Sequence, residues 1–85
     1  MRFSLTKHAQ EEILRRHISK DLVDEITQAP DQIVEEHGDI MCYQSLIHEE
    51  GSSYLLRVMV NPSSDPAKIV TVYKTKKIVK YWRAP

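Results

Sequence analysis

Glycine is scarce in this sequence, cysteine nearly absent, and each shortage excludes a class of chemistry. Gly38 and Gly51 are the two glycines, so there is no glycine-rich loop of the kind that brings backbone N–H groups against a phosphate. Cys42 is the single cysteine, which rules out an intramolecular disulfide and fits a reducing compartment. Ligand spacing for a metal is also missing. His8 and Glu12 do not complete a His-Glu-x-x-His helix, and His37, Cys42 and His48 are scattered over a predicted hairpin. No paired acidic cluster falls on a predicted strand, so a two-metal nuclease or an NTPase is not expected, and neither a metal nor a cofactor is. No apolar run approaches the roughly 20 residues of a membrane helix. No signal-peptide core follows Met1, so a cytoplasmic location is expected.

The last shortage is of acid, and it is local. The chain carries 12 basic and 12 acidic residues, yet from Pro66 onward its charges are Lys68, Lys74, Lys76, Lys77, Lys80 and Arg83, with no Asp or Glu. That part therefore holds six positive charges, and the first 65 residues hold the compensating six negative ones. Such asymmetry points to an end that faces a polyanion.

With 85 residues the chain is expected to form one domain spanning residues 1–85, with one modest core. Arg2 to Leu5 is a short candidate strand. Thr6 is placed to cap a helix running to Arg16, and Ser19 a second helix with Asp21 in its first turn, where the macrodipole favours negative charge. Ala9, Ile13 and Leu14 form the apolar stripe of the first, and Leu22, Val23, Ile26 and Ala29 that of the second. Pro30 ends it. From there the period is that of strands: Gln32 to Glu36, Ile40 to His48, Ser53 to Val60 and Lys68 to Lys74, with turns at Gly38-Asp39 and Glu49 to Ser52 and a polar loop from Asn61 to Pro66. The expected fold is α+β, two N-terminal helices packed on one face of an antiparallel, meander-like sheet of about four strands.

The β-branched run Ile69-Val70-Thr71-Val72 before Tyr73 is the strongest strand signal. Alternation puts Val70 and Val72 on one side and Ile69, Thr71 and Tyr73 on the other. In the preceding strand Tyr54, Leu56, Val58 and Val60 make an apolar side, opposite Leu55, Arg57 and Met59. If the helices take the apolar side, Arg57, Thr71 and Tyr73 share the open one.

Those residues permit one reaction without metal. Cleaving RNA requires a group to take the 2′-hydroxyl proton, a cation for the phosphorane charge and an acid for the leaving oxygen. His8 suits the first or third role because an imidazole titrates near neutral pH. Arg57 suits the second, with Tyr73 or one of Lys74, Lys76 and Lys77 assisting. The competing expectation is a non-catalytic module whose open face and aromatic tail bind a partner protein or a second copy of the chain.

The opening Thr6-x-His8-Ala9, then Arg16-x-Ile18, Pro30, and Val70-Thr71-Val72-Tyr73 closing on Lys80-Tyr81-Trp82 resemble a small uncharacterised bacterial domain family, similar in layout to the RelE/ParE-like superfamily of toxins. The resemblance implies a metal-independent endoribonuclease or RNA-binding domain of a toxin–antitoxin system, acting on RNA that is free or ribosome-associated. An antitoxin protein and a homodimer are the further partners it implies. His8, Arg16, Thr71 and Tyr73 occupy positions such a family would use, and Arg16, Lys74, Lys76, Lys77 and Lys80 would contact nucleic acid. Two positions depart from the pattern: Glu12 stands where relatives often carry arginine, and His17 where they carry glycine.

Overall fold

Thr6 has extended backbone, and its hydroxyl accepts from Ala9 N at 3.1 Å, satisfying one of the unpaired donors that begin every helix. In the computed structural model, which describes residues 2–84, this cap joins β1 (Phe3–Leu5) to α1 (Lys7–Arg15). Ser19 caps α2 (Lys20–Gln28) in the same way, accepting from Leu22 N at 3.3 Å. Between the helices the chain turns through His17 at φ 54°. Ile18 N donates to Ile13 O at 3.0 Å and His17 N to Leu14 O at 3.3 Å. This is the Schellman closure, in which the left-handed residue is usually glycine.

β2 (Gln32–Glu35), β3 (Met41–Glu49), β4 (Ser52–Asn61) and β5 (Ala67–Thr75) form an antiparallel meander. Glu50 and Gly51, both at positive φ, close the β3–β4 hairpin opposite the Glu49–Ser52 pair, as a tight turn matched to strand twist requires. The sheet differs from the expectation in strand number and order. It has five strands in the order β1-β5-β4-β3-β2 and is mixed, because β1 pairs parallel to β5. A three-residue strand carries too few side chains to name its neighbour. Here the pairing is fixed from outside the strand, by Ala67 N donating to Arg2 O at 2.9 Å and Thr6 N to Ile69 O at 3.1 Å. The helices then carry the chain from the β1 edge to the β2 edge. A third, short helix, α3 (Ile78–Tyr81), not foreseen from the sequence, follows β5 within the basic C-terminal end. No helix among the described residues is long and apolar enough to cross a membrane.

Both N-terminal helices pack on one sheet face, where Ala9, Ile13, Ile18, Val23 and Ile26 meet Tyr43, Leu56, Val58, Val60, Ile69 and Val72. Leu14, expected in that stripe, is 77% exposed. The alternation expected for β5 also fails at one point. Met59 pairs with Thr71 but Val60 with Ile69, so Val70 is an extra residue, a β-bulge. The insertion brings Ile69 onto the helix side with Val72 and moves Val70 to the opposite face with Tyr73. Beyond the bulge Thr71 and Tyr73 keep the face that was expected for them.

Candidate functional site

The sheet face away from α1 and α2 carries a polar centre. Register places Gln44, Arg57 and Tyr73 side by side on β3, β4 and β5. Arg57 Nε donates to Gln44 Oε1 at 2.9 Å and Nη1 to the Tyr73 hydroxyl at 2.6 Å, while Nη2 forms an ion pair with the Glu36 carboxylate. Gln44 Nε2 donates to Gln32 Oε1 at 2.8 Å and to the Tyr81 carbonyl at 3.2 Å. Among the described residues no buried side-chain nitrogen or oxygen lacks a partner, as burial of a charge demands.

The face expected to be open is covered. The Tyr81 ring lies 4.1 Å from the Arg57 guanidinium carbon and meets the Tyr73 ring edge-on at 6.5 Å. Gln32 holds the next turn of chain, donating to Arg83 O at 2.6 Å and accepting from Arg83 N at 3.1 Å. Arg57 is left 2% exposed. Burial alone would lower its pKa, but the hydrogen bonds to Tyr73 and Glu36 outweigh that and raise it, so the cation is permanent. Burial raises the Tyr73 phenol above its ordinary value, the Arg57 contact opposing. Nearby, burial pushes the Cys42 thiol up to about 11, which keeps it protonated and unreactive.

A second cluster sits where β1 ends and β5 becomes an edge. His8 Nε2 lies 3.3 Å from the Thr71 hydroxyl and 3.9 Å from Glu12 Oε1. Both contacts fall on one ring nitrogen, so the imidazole cannot pass a proton from hydroxyl to carboxylate as a catalytic triad does. Glu12 is also gripped by Arg15, at 2.7 and 2.9 Å, and by Arg16 at 3.6 Å. The Arg15 hydrogen bonds, against a smaller opposing effect of burial and with added attraction from Arg15, Arg16 and His8, hold its carboxyl at about 2. Glu12, at a position where a cation was expected, thus offsets the charge of Arg16 and its neighbours.

His8 and Thr71 therefore belong to one cluster and Arg57 and Tyr73 to another; the two share β5 and no side-chain contact given by these bonds. The lysines divide as well. Lys74 is paired with Glu49 at 3.0 Å and lies over the Tyr54 ring. Lys76, Lys77, Lys80 and Arg83 are exposed and form no ion pair among the described residues. Lys77 stands at the N-cap position of α3 without a side-chain capping bond, and Lys80 lies 5.2 Å over the Tyr81 ring. Sequence reasoning missed Gln32, Glu36 and Gln44, and singled out Tyr81 only as part of the closing motif and the aromatic tail. A glutamine set among Met41, Cys42, Tyr43, Leu46 and Ile47 in an interior strand was the available signal for Gln44. Among the described residues no group of three His, Cys, Asp or Glu side chains is placed to hold a metal ion.

A family model described as "Domain of unknown function (DUF4258)" matches residues 5–74. The matched span includes the whole of the His8 cluster and the sheet side of the Arg57 cluster, but not α3. No curated protein and no solved structure matches the chain.

Proposed function

The chain belongs to the DUF4258 family, and from the chemistry around β5 and α3 we propose that it is a toxin-like domain that binds single-stranded RNA. The observation that carries this reading is the group Lys76, Lys77, Lys80 and Arg83, exposed and without carboxylate partners among the described residues, with Lys76 over the Tyr54 ring and Lys80 over that of Tyr81. Unneutralised cations next to aromatic rings are the recurrent means of holding a single strand, the cations tracking phosphates and the rings stacking bases. The toxin-like, RelE/ParE-like part of the reading rests on the opening and closing sequence motifs.

Binding is better supported than cleavage. A metal-independent endoribonuclease needs its base and its cation on the same phosphodiester. Here His8 is engaged with Thr71 and Glu12, and all three nitrogens of Arg57 are committed elsewhere. The test is to titrate a labelled single-stranded RNA and then incubate the complex in EDTA. Saturable, salt-sensitive binding with no 2′,3′-cyclic phosphate product is the expected result. Cleavage to cyclic phosphate would restore the endoribonuclease reading, and absence of binding would remove both.

One observation favours a protein partner instead. Leu14, 77% exposed, lines a groove with Leu5, Gln10, Ile13 and Lys20, which suits an apolar segment of an antitoxin or a second copy of the chain. Light scattering at micromolar concentration separates the second copy from a monomer.

A further inference from the structure

Nothing internal to α3 accounts for its position. None of its four residues is buried, and its N-cap Lys77 makes no side-chain capping bond; a helix this short has no stability of its own. What fixes the segment is its contact with the sheet. One aromatic ring, Tyr81, lies on the guanidinium of Arg57. One acceptor, the Tyr81 carbonyl, takes a bond from Gln44. One adjacent donor and acceptor, Arg83 N and O, are read together by the single carboxamide of Gln32.

That set of contacts is the one arginine and glutamine make with a nucleobase. Bases released from a helix stack on guanidinium planes and are hydrogen-bonded along their edges, and a carboxamide reads a neighbouring donor and acceptor bidentately. The receptor side is built: Gln44 and Arg57 are 0% and 2% exposed and held by partners of their own. Gln32, Gln44, Arg57 and Tyr73 all lie within the family match, whereas Tyr81 to Arg83 lie beyond it.

We propose that Gln32, Gln44, Arg57 and Tyr73 form a base-binding site for single-stranded RNA, which the C-terminal segment Tyr81–Arg83 occupies in cis and which RNA enters by displacing that segment. The inference rests on the RNA-binding reading above and names where the base goes. An aromatic residue of a peptide would satisfy the stack equally. It would gain nothing from the exposed Lys76, Lys77 and Lys80 that precede the displaced segment, where a phosphodiester would gain from each.

Trp82 is the only tryptophan of the chain and lies inside the displaced segment, so its emission reports the event in the unmodified protein. Titration with an unlabelled 12-nucleotide oligo(A) should shift Trp82 emission to longer wavelength, saturating with the binding isotherm, while inorganic polyphosphate should bind the cations without that shift. Two variants separate base reading from simple obstruction. Tyr81→Ala should tighten oligo(A) binding about tenfold, because the internal competitor is weakened, and Tyr81→Ala with Gln32→Ala should lose that gain. RNA binding without any change in Trp82 emission overturns the base site and leaves the RNA-binding reading standing; no RNA binding at all removes both. A double variant that binds as tightly as Tyr81→Ala shows Gln32 to be only a tether and overturns the site. So does displacement by a Gly-Tyr-Gly peptide but not by oligo(A), which would assign the face to a protein.

Discussion

Arg57 is the residue whose character tertiary structure changed most. As a side chain on an open sheet face it would be dispensable for folding. Buried at 2% exposure between Glu36, Gln44, Tyr73 and Tyr81, it is a charge whose removal strands its partners. Arg57→Ala is expected to destabilise by roughly 3 kcal/mol, as breaking a largely buried pair does, measurable as a fall in the urea midpoint. An unchanged midpoint would mean the cluster is looser than its geometry. His17 presents the opposite case, a non-glycine residue at φ 54° where the Schellman closure favours glycine. His17→Gly should stabilise the domain by about 1 kcal/mol, a rise of several degrees in Tm by calorimetry. Glu12 adds a pH dependence. Its folded value, about 2, lies below the ordinary 4.5, so the unfolded chain takes up the proton first as pH falls. The stabilisation is complete above about pH 4.5 and is lost as pH falls through about 2. The difference in Tm between the protein and Glu12→Gln should therefore shrink steadily over that window; a constant difference would contradict the clamp.

At the scale of elements, both N-terminal helices were legible because their signals are local. Thr6, Ser19 and Pro30 act within a turn of themselves, and the caps form as the residue types dictate. The β2 to β5 meander was legible from turn residues and period. β5 shows where that reading stops. Its β-branched run fixes that it is a strand, but the bulge at Val70 is a property of the pairing with β4 and leaves no mark in composition. A stability comparison tests it directly. Val72→Ala, with Val72 at 0% exposure in the helix-side core, should cost about 2 kcal/mol. Val70→Ala, on the other face and half-buried, should cost under about 1 kcal/mol. Equal costs would mean that Val70 and Val72 share a face after all and that the bulge is absent.

For the whole molecule the relevant quantity is where charge remains unneutralised. The excess of six positive charges after Pro66 is a sequence fact, yet Lys74 is taken up by Glu49, and among the described residues Lys76, Lys77, Lys80 and Arg83 are the exposed cations without an ion pair in and around α3. Contact of these four with phosphates predicts that the logarithm of RNA affinity falls with the logarithm of salt concentration with a slope of about −3, at roughly 0.7 per phosphate for a single strand. Each of Lys76→Ala, Lys77→Ala and Lys80→Ala should reduce the slope by about 0.7, whereas Lys74→Ala should leave it nearly unchanged. Fluorescence anisotropy between low and moderate salt measures all of these, and a slope near zero would remove the basic segment from the interface.

The sequence by itself determined the two N-terminal helices, the four meander strands, the apolar side of β4 and the basic C-terminal end, because each follows from residue type and spacing over a few neighbours. It also put Thr71 and Tyr73 on one side of β5 and Arg57 opposite the apolar side of β4, parities that survive the bulge, whereas the β4–β5 register made those two sides one face. Only the tertiary structure decided that β1 joins β5 in parallel, that His8 meets Thr71 rather than Arg57, and that Tyr81 closes over the guanidinium. Those contacts join residues 64, 63 and 24 positions apart, in that order. Their existence depends on register and on which chain segment reaches a surface first, and neither is written in the local pattern of side chains.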